Sequence, residues 1–141
     1  MTREYLEQIV NVWQKRLNLL QWRITLEWSD EPLPDAFASV RRVGEYYDEA
    51  ANLVSSNHDE WDAQLATEII VHELMHIMMF DLQAGVLSAG TIMPAAAFKL
   101  FSEWHRHELE GVVDRVALMF VQLAGIIEPA SEEEEECLQA S

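Results

Sequence analysis

The chain has 141 residues, half of them apolar and five of them tryptophan, enough to build the core of one domain and to exclude global disorder. Twenty-five acidic against nine basic side chains leave a formal charge of −16, a field that repels phosphate backbones and anionic lipid. Unaided binding to nucleic acid or a membrane surface is therefore disfavoured, while cationic partners and metal ions are compatible. The only cysteine, Cys137, excludes an intrachain disulfide and a cysteine-based zinc knuckle. The opening MTREYLEQIV lacks the apolar block of a signal peptide, and no apolar stretch approaches the roughly 20 residues of a bilayer span. The expectation is a soluble, cytoplasmic domain over residues 1–130, followed by an acidic tail, 131–141, that is disordered.

Residues 3–20 place Leu6, Ile9, Val10, Trp13, Leu17 and Leu20 at three- and four-residue steps, which predicts an amphipathic helix with one buried stripe. Trp22 to Trp28 alternates with period two and predicts a strand with Trp22, Ile24, Leu26 and Trp28 facing inward. Ser29 to Asp35, with Pro32 and Pro34, reads as a turn. Ala36–Val43 and Tyr46–Val54 read as two further strands broken near Gly44, with a helical alternative open for Glu45–Leu53. Asn57 or Asp59 is the expected N-cap of an interior helix over Trp61–Leu82, apolar nearly all round. Gly85, Gly90 and Pro94 mark a connector over residues 83–94. Helix resumes near Ala95 and carries the stripe Leu109, Val112, Val113, Val116, Phe120 and Leu123 to a stop near Gly125 and Pro129. Whether residues 95–125 form one helix or two stays open.

Chemistry concentrates in His72-Glu73-Leu74-Met75-His76. Residues four apart on a helix share a face, so both imidazoles can reach one ion. Glu73, beside the first ligand, can reach a water on that ion and take its proton while a polarised carbonyl is attacked. The bland alternative is a set of core polar residues satisfied by one another. Unpartnered in so apolar a helix, they would cost several kcal/mol in total.

A zinc site also needs a third protein ligand and one open position. The segment His105 to Asp114 supplies the candidates, and Glu110 is favoured. Asp114 follows one turn later on the same face, where it can accept the outer N–H of a ligand histidine and fix its tautomer. Glu108 is the main competitor. It lies about 200° from Glu110 on a helical wheel, so the two cannot both face one ion. His105 and His107 remain alternative ligands or oxyanion donors, and Tyr46 and Tyr47 are candidates by residue type alone.

With these residues the sequence resembles the zincin metallopeptidases, in particular the glutamate-zincins, whose pattern is HExxH followed by a helix bearing Glu-x-x-x-Asp. Here the pattern stands as His72–His76 and Glu110–Asp114. The layout over residues 1–125 is also similar to small metallopeptidases of phage and prophage genomes. Those share an N-terminal helix, a Trp-Arg-Ile-Thr type strand, a short sheet, a Val-His-Glu-Leu-x-His helix and a C-terminal glutamate helix. The resemblance implies a minimal α+β fold with a sheet of about three strands, a bound Zn2+ and hydrolysis of peptide or protein substrates. The 33 residues between His76 and Glu110 depart from the thermolysin pattern, and no substrate-pocket motif carries over. The rival class is a non-catalytic protein-interaction module that keeps zinc for stability. A third is a metal hydrolase acting on a non-peptide amide.

Overall fold

Thr2 opens the first helix by accepting the Tyr5 N–H on its side-chain oxygen at 3.2 Å. The computed structural model describes residues 1–34, 36–43 and 48–125. In chain order they form α1 (Arg3–Arg16), β1 (Arg23–Trp28), β2 (Ala38–Arg42), β3 (Glu49–Val54), α2 (Ala63–Met78), α3 (Phe80–Ala89) and α4 (Ala95–Ala124). This is an α+β fold. Tyr46, Tyr47 and the acidic tail lie outside the described residues.

Helix α1 buries Tyr5, Leu6, Ile9, Val10 and Trp13, but it ends at Arg16 rather than at residue 20. Asn18 then takes φ of 55°, a left-handed conformation that asparagine tolerates better than most residues. The Gln14 amide holds the new direction by donating to the carbonyls of Leu19 at 3.0 Å and Trp22 at 2.6 Å. The phase of the stripe shifts with it, so Leu19 is buried and Leu20 is exposed.

The sheet has the order β1-β3-β2. β3 runs parallel to β1, with Ile24 opposite Ala50, and antiparallel to β2, with Val40 opposite Asn52. As the central strand it buries Ala50, Ala51, Asn52 and Val54, the near-continuous burial of a strand covered on both faces. Both expected strands are therefore present, and the helical alternative for residues 45–53 fails over Glu49–Leu53. In β1, Trp22 precedes the strand and is buried, while Ile24, Leu26 and Trp28 are only half-buried.

The cap of α2 is Asp62, whose Oδ1 accepts the Leu65 N–H at 2.7 Å. Neither Asn57 nor Asp59 serves: they belong to a separate 3-10 turn over His58–Glu60. α2 packs against α1, β2 and α4 at once, which accounts for its apolar circumference. Ala66, Ile69, Ile70, Val71, Leu74, Met75 and Ile77 are all buried along it. Its larger aliphatic side chains each stabilise the fold by about 1.5–3 kcal/mol.

The expected helix to Leu82 is broken at Met79, where the axis bends by 51° into α3. The bend seats Phe80 edge-on against Trp22, with ring centroids 5.5 Å apart. The expected connector is shorter than residues 83–94, because α3 runs through Gly85 to Ala89. An exposed helical glycine costs only about 1 kcal/mol, too little to break a helix already docked. At Gly90 the backbone passes the Phe98 ring so closely that a Cβ would sit 2.9 Å from it, which brings the end of α3 against the start of α4.

Residues 95–124 form one helix. Its buried row is Leu109, Val113, Ala117 and Val121, which keeps Leu109 and Val113 of the expected stripe; Val112 and Leu123 are exposed, and Val116 and Phe120 are half-buried. Among the described residues no single helix is long and apolar enough to cross a membrane.

Candidate metal centre

α2 and α4 lie side by side and antiparallel. The direction follows from two contacts: His72 meets Asp114, and His76, one turn later, meets Glu110, one turn earlier. The Nε2 atoms of His72 and His76 stand 3.0 Å apart. Glu110 Oε2 lies 3.5 Å from the first and 3.4 Å from the second. Ligand atoms at about 2.0–2.1 Å from a tetrahedral zinc are separated by about 3.3 Å. The three atoms thus have the spacing of one face of such a tetrahedron, and the donor set fits zinc. Among the described residues, this is the one group of histidines and acids close enough to share an ion.

His72 is held from behind. His72 Nδ1 is 2.9 Å from Asp114 Oδ1, so the ring is oriented with Nε2 turned toward the cluster. Burial pushes the His76 imidazole below its ordinary pKa, and His72 beside it acts in the same direction, while the Glu110 carboxylate opposes both. A neutral imidazole is the form a metal requires. Glu73 is only 7 % exposed. Its carboxyl is pushed up to about 7, first by burial and then by the charge of Glu110, with the Val40 N–H as the opposing influence. That places a carboxyl with a neutral-range pKa beside the cluster, the property of a general base working near pH 7.

The cluster opens into a cleft of about 1020 Å³. α2 supplies the floor with Ile69, His72, Glu73 and His76; β2 and the residues before it form one wall from Ala36 to Val40, and α4 forms the other. Phe80, Val86 and Leu87 make one end of it apolar. β2 is the outer strand of the sheet, so one of its edges pairs with no other strand among the described residues.

Comparison with protein-family models, curated proteins and solved structures finds no match for this chain.

Of the residues singled out from the sequence, His72, His76, Glu110 and Asp114 come together, with Glu73 in the same cleft. Glu108 is exposed and lies outside the cluster. His107 is also exposed. His105 lines the cleft; its ring stacks on Phe101 at 6.2 Å, and its Nε2 is buried without a hydrogen-bond partner among the described residues. Sequence reasoning missed the Val40 N–H. A backbone donor carries no residue signature, and only the approach of β2 to α2 reveals it.

Proposed function

We propose that this chain is a zinc-dependent peptidase, with His72, His76 and Glu110 as ligands and Glu73 as general base and then acid. The observation that carries this reading is the convergence of two Nε2 atoms and a carboxylate oxygen within 3.5 Å of one another at the floor of an open cleft. Zinc bound there would supply an acidified water and polarise the scissile carbonyl. Glu73, buried in the same cleft, would accept that water's proton and return it to the leaving amine. Asp114 holds His72 in the tautomer that presents Nε2. The open edge of β2 offers an extended peptide a strand to pair with, which would lay its backbone along the cleft.

The test is metal analysis of protein purified without added metal, combined with cleavage of an unbiased peptide library. One zinc per chain and metal-dependent cleavage are expected. A folded chain that takes up no zinc on titration would overturn the reading. Zinc without cleavage would leave the site as a stabilising one in a protein-interaction module.

A further inference from the structure

Helix α4 has two apolar faces. The inner row Leu109, Val113, Ala117 and Val121 is buried against the rest of the domain. Roughly 150° away on the helical wheel, within an arc of about 80°, lie Trp104, Val112 and Met119, all of them exposed. Trp104 is 60 % exposed and Met119 is 48 % exposed. Large apolar side chains left in solvent on the side of a helix away from the core are a feature of interaction surfaces.

The order of residues along the row says what covers it. Trp104 and Met119, and Glu108 and Arg115, lie at equal distances on either side of the Gly111–Val112 peptide. A second α4 laid antiparallel across that midpoint sets every Trp104 against a Met119. It also sets Glu108 against Arg115, twice. Among the described residues neither Glu108 nor Arg115 has an ion-pair partner within its own chain. At the crossing point, Gly111 presents no Cβ, and one placed there would meet only the Arg115 guanidinium, at 3.5 Å. The charges on the row cancel, although the chain as a whole carries −16, so this face lets two copies meet with little repulsion.

We infer that the chain forms a two-fold symmetric homodimer through the outer face of α4, antiparallel about Gly111 and Val112. The shared face from Trp104 to Met119 spans about 22 Å at 1.5 Å per residue, with an aromatic anchor at each end of the pair. A parallel pairing is disfavoured because it would set Glu108 against Glu108. The dimer leaves His72, His76 and Glu110 outside its contact, so the inference stands apart from the proposed peptidase activity.

Sedimentation equilibrium on the zinc-treated full chain, from roughly micromolar to several hundred micromolar, tests it. The wild type should be a dimer, and Trp104→Glu should be a monomer with unchanged helical circular dichroism. Glu108→Arg and Arg115→Glu should each weaken the dimer by at least about tenfold, because each sets like charges together twice. Glu108→Arg combined with Arg115→Glu should restore it. A wild type that stays monomeric throughout, a dimer indifferent to Trp104→Glu, or a double variant no stronger than the singles would overturn the inference.

Discussion

Asp114 holds His72 from behind: its Oδ1 lies 2.9 Å from the His72 Nδ1, one helical turn beyond the Glu110 that faces the Nε2 of the same ring. One imidazole is thus gripped on both nitrogens by two acids of a single helix. The carboxylate that completes the cluster and the one that aims His72 are inherited together from the spacing of α4.

Glu110→Ala should weaken zinc binding severely. Asp114→Asn should weaken it about 10–100-fold, the usual loss when the partner of a ligand histidine is removed. Glu108→Ala should leave it unchanged, since that side chain is exposed outside the cluster. Zinc affinities from competition with a chelator at fixed pH check all three. If Glu108→Ala proved the damaging change, α4 would have to sit in a different rotation from the one seen.

Glu73→Gln should keep both fold and zinc while abolishing peptide hydrolysis, because an amide fills the same space but cannot take up a proton. Metal content and turnover, measured on the same preparation, separate the outcomes. Loss of zinc in this variant would make Glu73 a ligand.

The same substitution should act oppositely on the metal-free protein. Burial and the Glu110 charge push the Glu73 carboxyl up to about 7 from an ordinary value of 4.5. Its contribution to stability is therefore complete below about pH 4.5 and is lost as pH rises through about 7. Above that range wild type must keep a charged carboxyl in a buried place facing Glu110, and Glu73→Gln need not. Chelator-treated Glu73→Gln should then be more stable than wild type at about pH 8, by on the order of 3 kcal/mol, and equal to it near pH 4. Urea unfolding at the two pH values gives the comparison.

Asp62→Ala should destabilise the protein by about 1 kcal/mol through loss of the α2 cap. Asp59→Ala, at an exposed position in the 3-10 turn, should change stability by no more than about 0.5 kcal/mol. Thermal or denaturant unfolding of the pair decides which acid starts the helix.

The His72–His76–Glu110 cluster was legible in the sequence because its information is local. A four-residue step puts His72 with His76 and Glu110 with Asp114, whatever the rest of the chain does. The choice of Glu110 over Glu108 followed from the Asp114 that shares its face, whereas the pairing of α2 with α4 is visible only in the structure. The apolar stripe misplaced Val112 and Leu123, because α4 also carries apolar residues on its outer side and periodicity alone cannot tell inner from outer. The break at Met79 carried no glycine or proline to announce it and arises from tertiary packing, with Phe80 seated on Trp22. Gly85 gave the opposite error, a residue typical of breaks inside an intact helix. The cap went to Asp62 because three acceptors stood within six residues and only the geometry of the entry separates them.

The contact between Val40 and Glu73 has a consequence for anything that docks along β2. Val43 donates inward to Glu49 at 2.8 Å, so by the alternation of an antiparallel ladder Val40 donates outward, across the strand's open edge. That outward-facing N–H is also the backbone donor that opposes the rise in the Glu73 pKa. An arriving chain that pairs at Val40 must compete for that hydrogen. If the newcomer wins, Glu73 loses the contact that lowers its proton affinity and becomes a stronger base. Occupancy of the strand edge and basicity of the carboxyl are then mutually dependent, tied through a single shared proton donor.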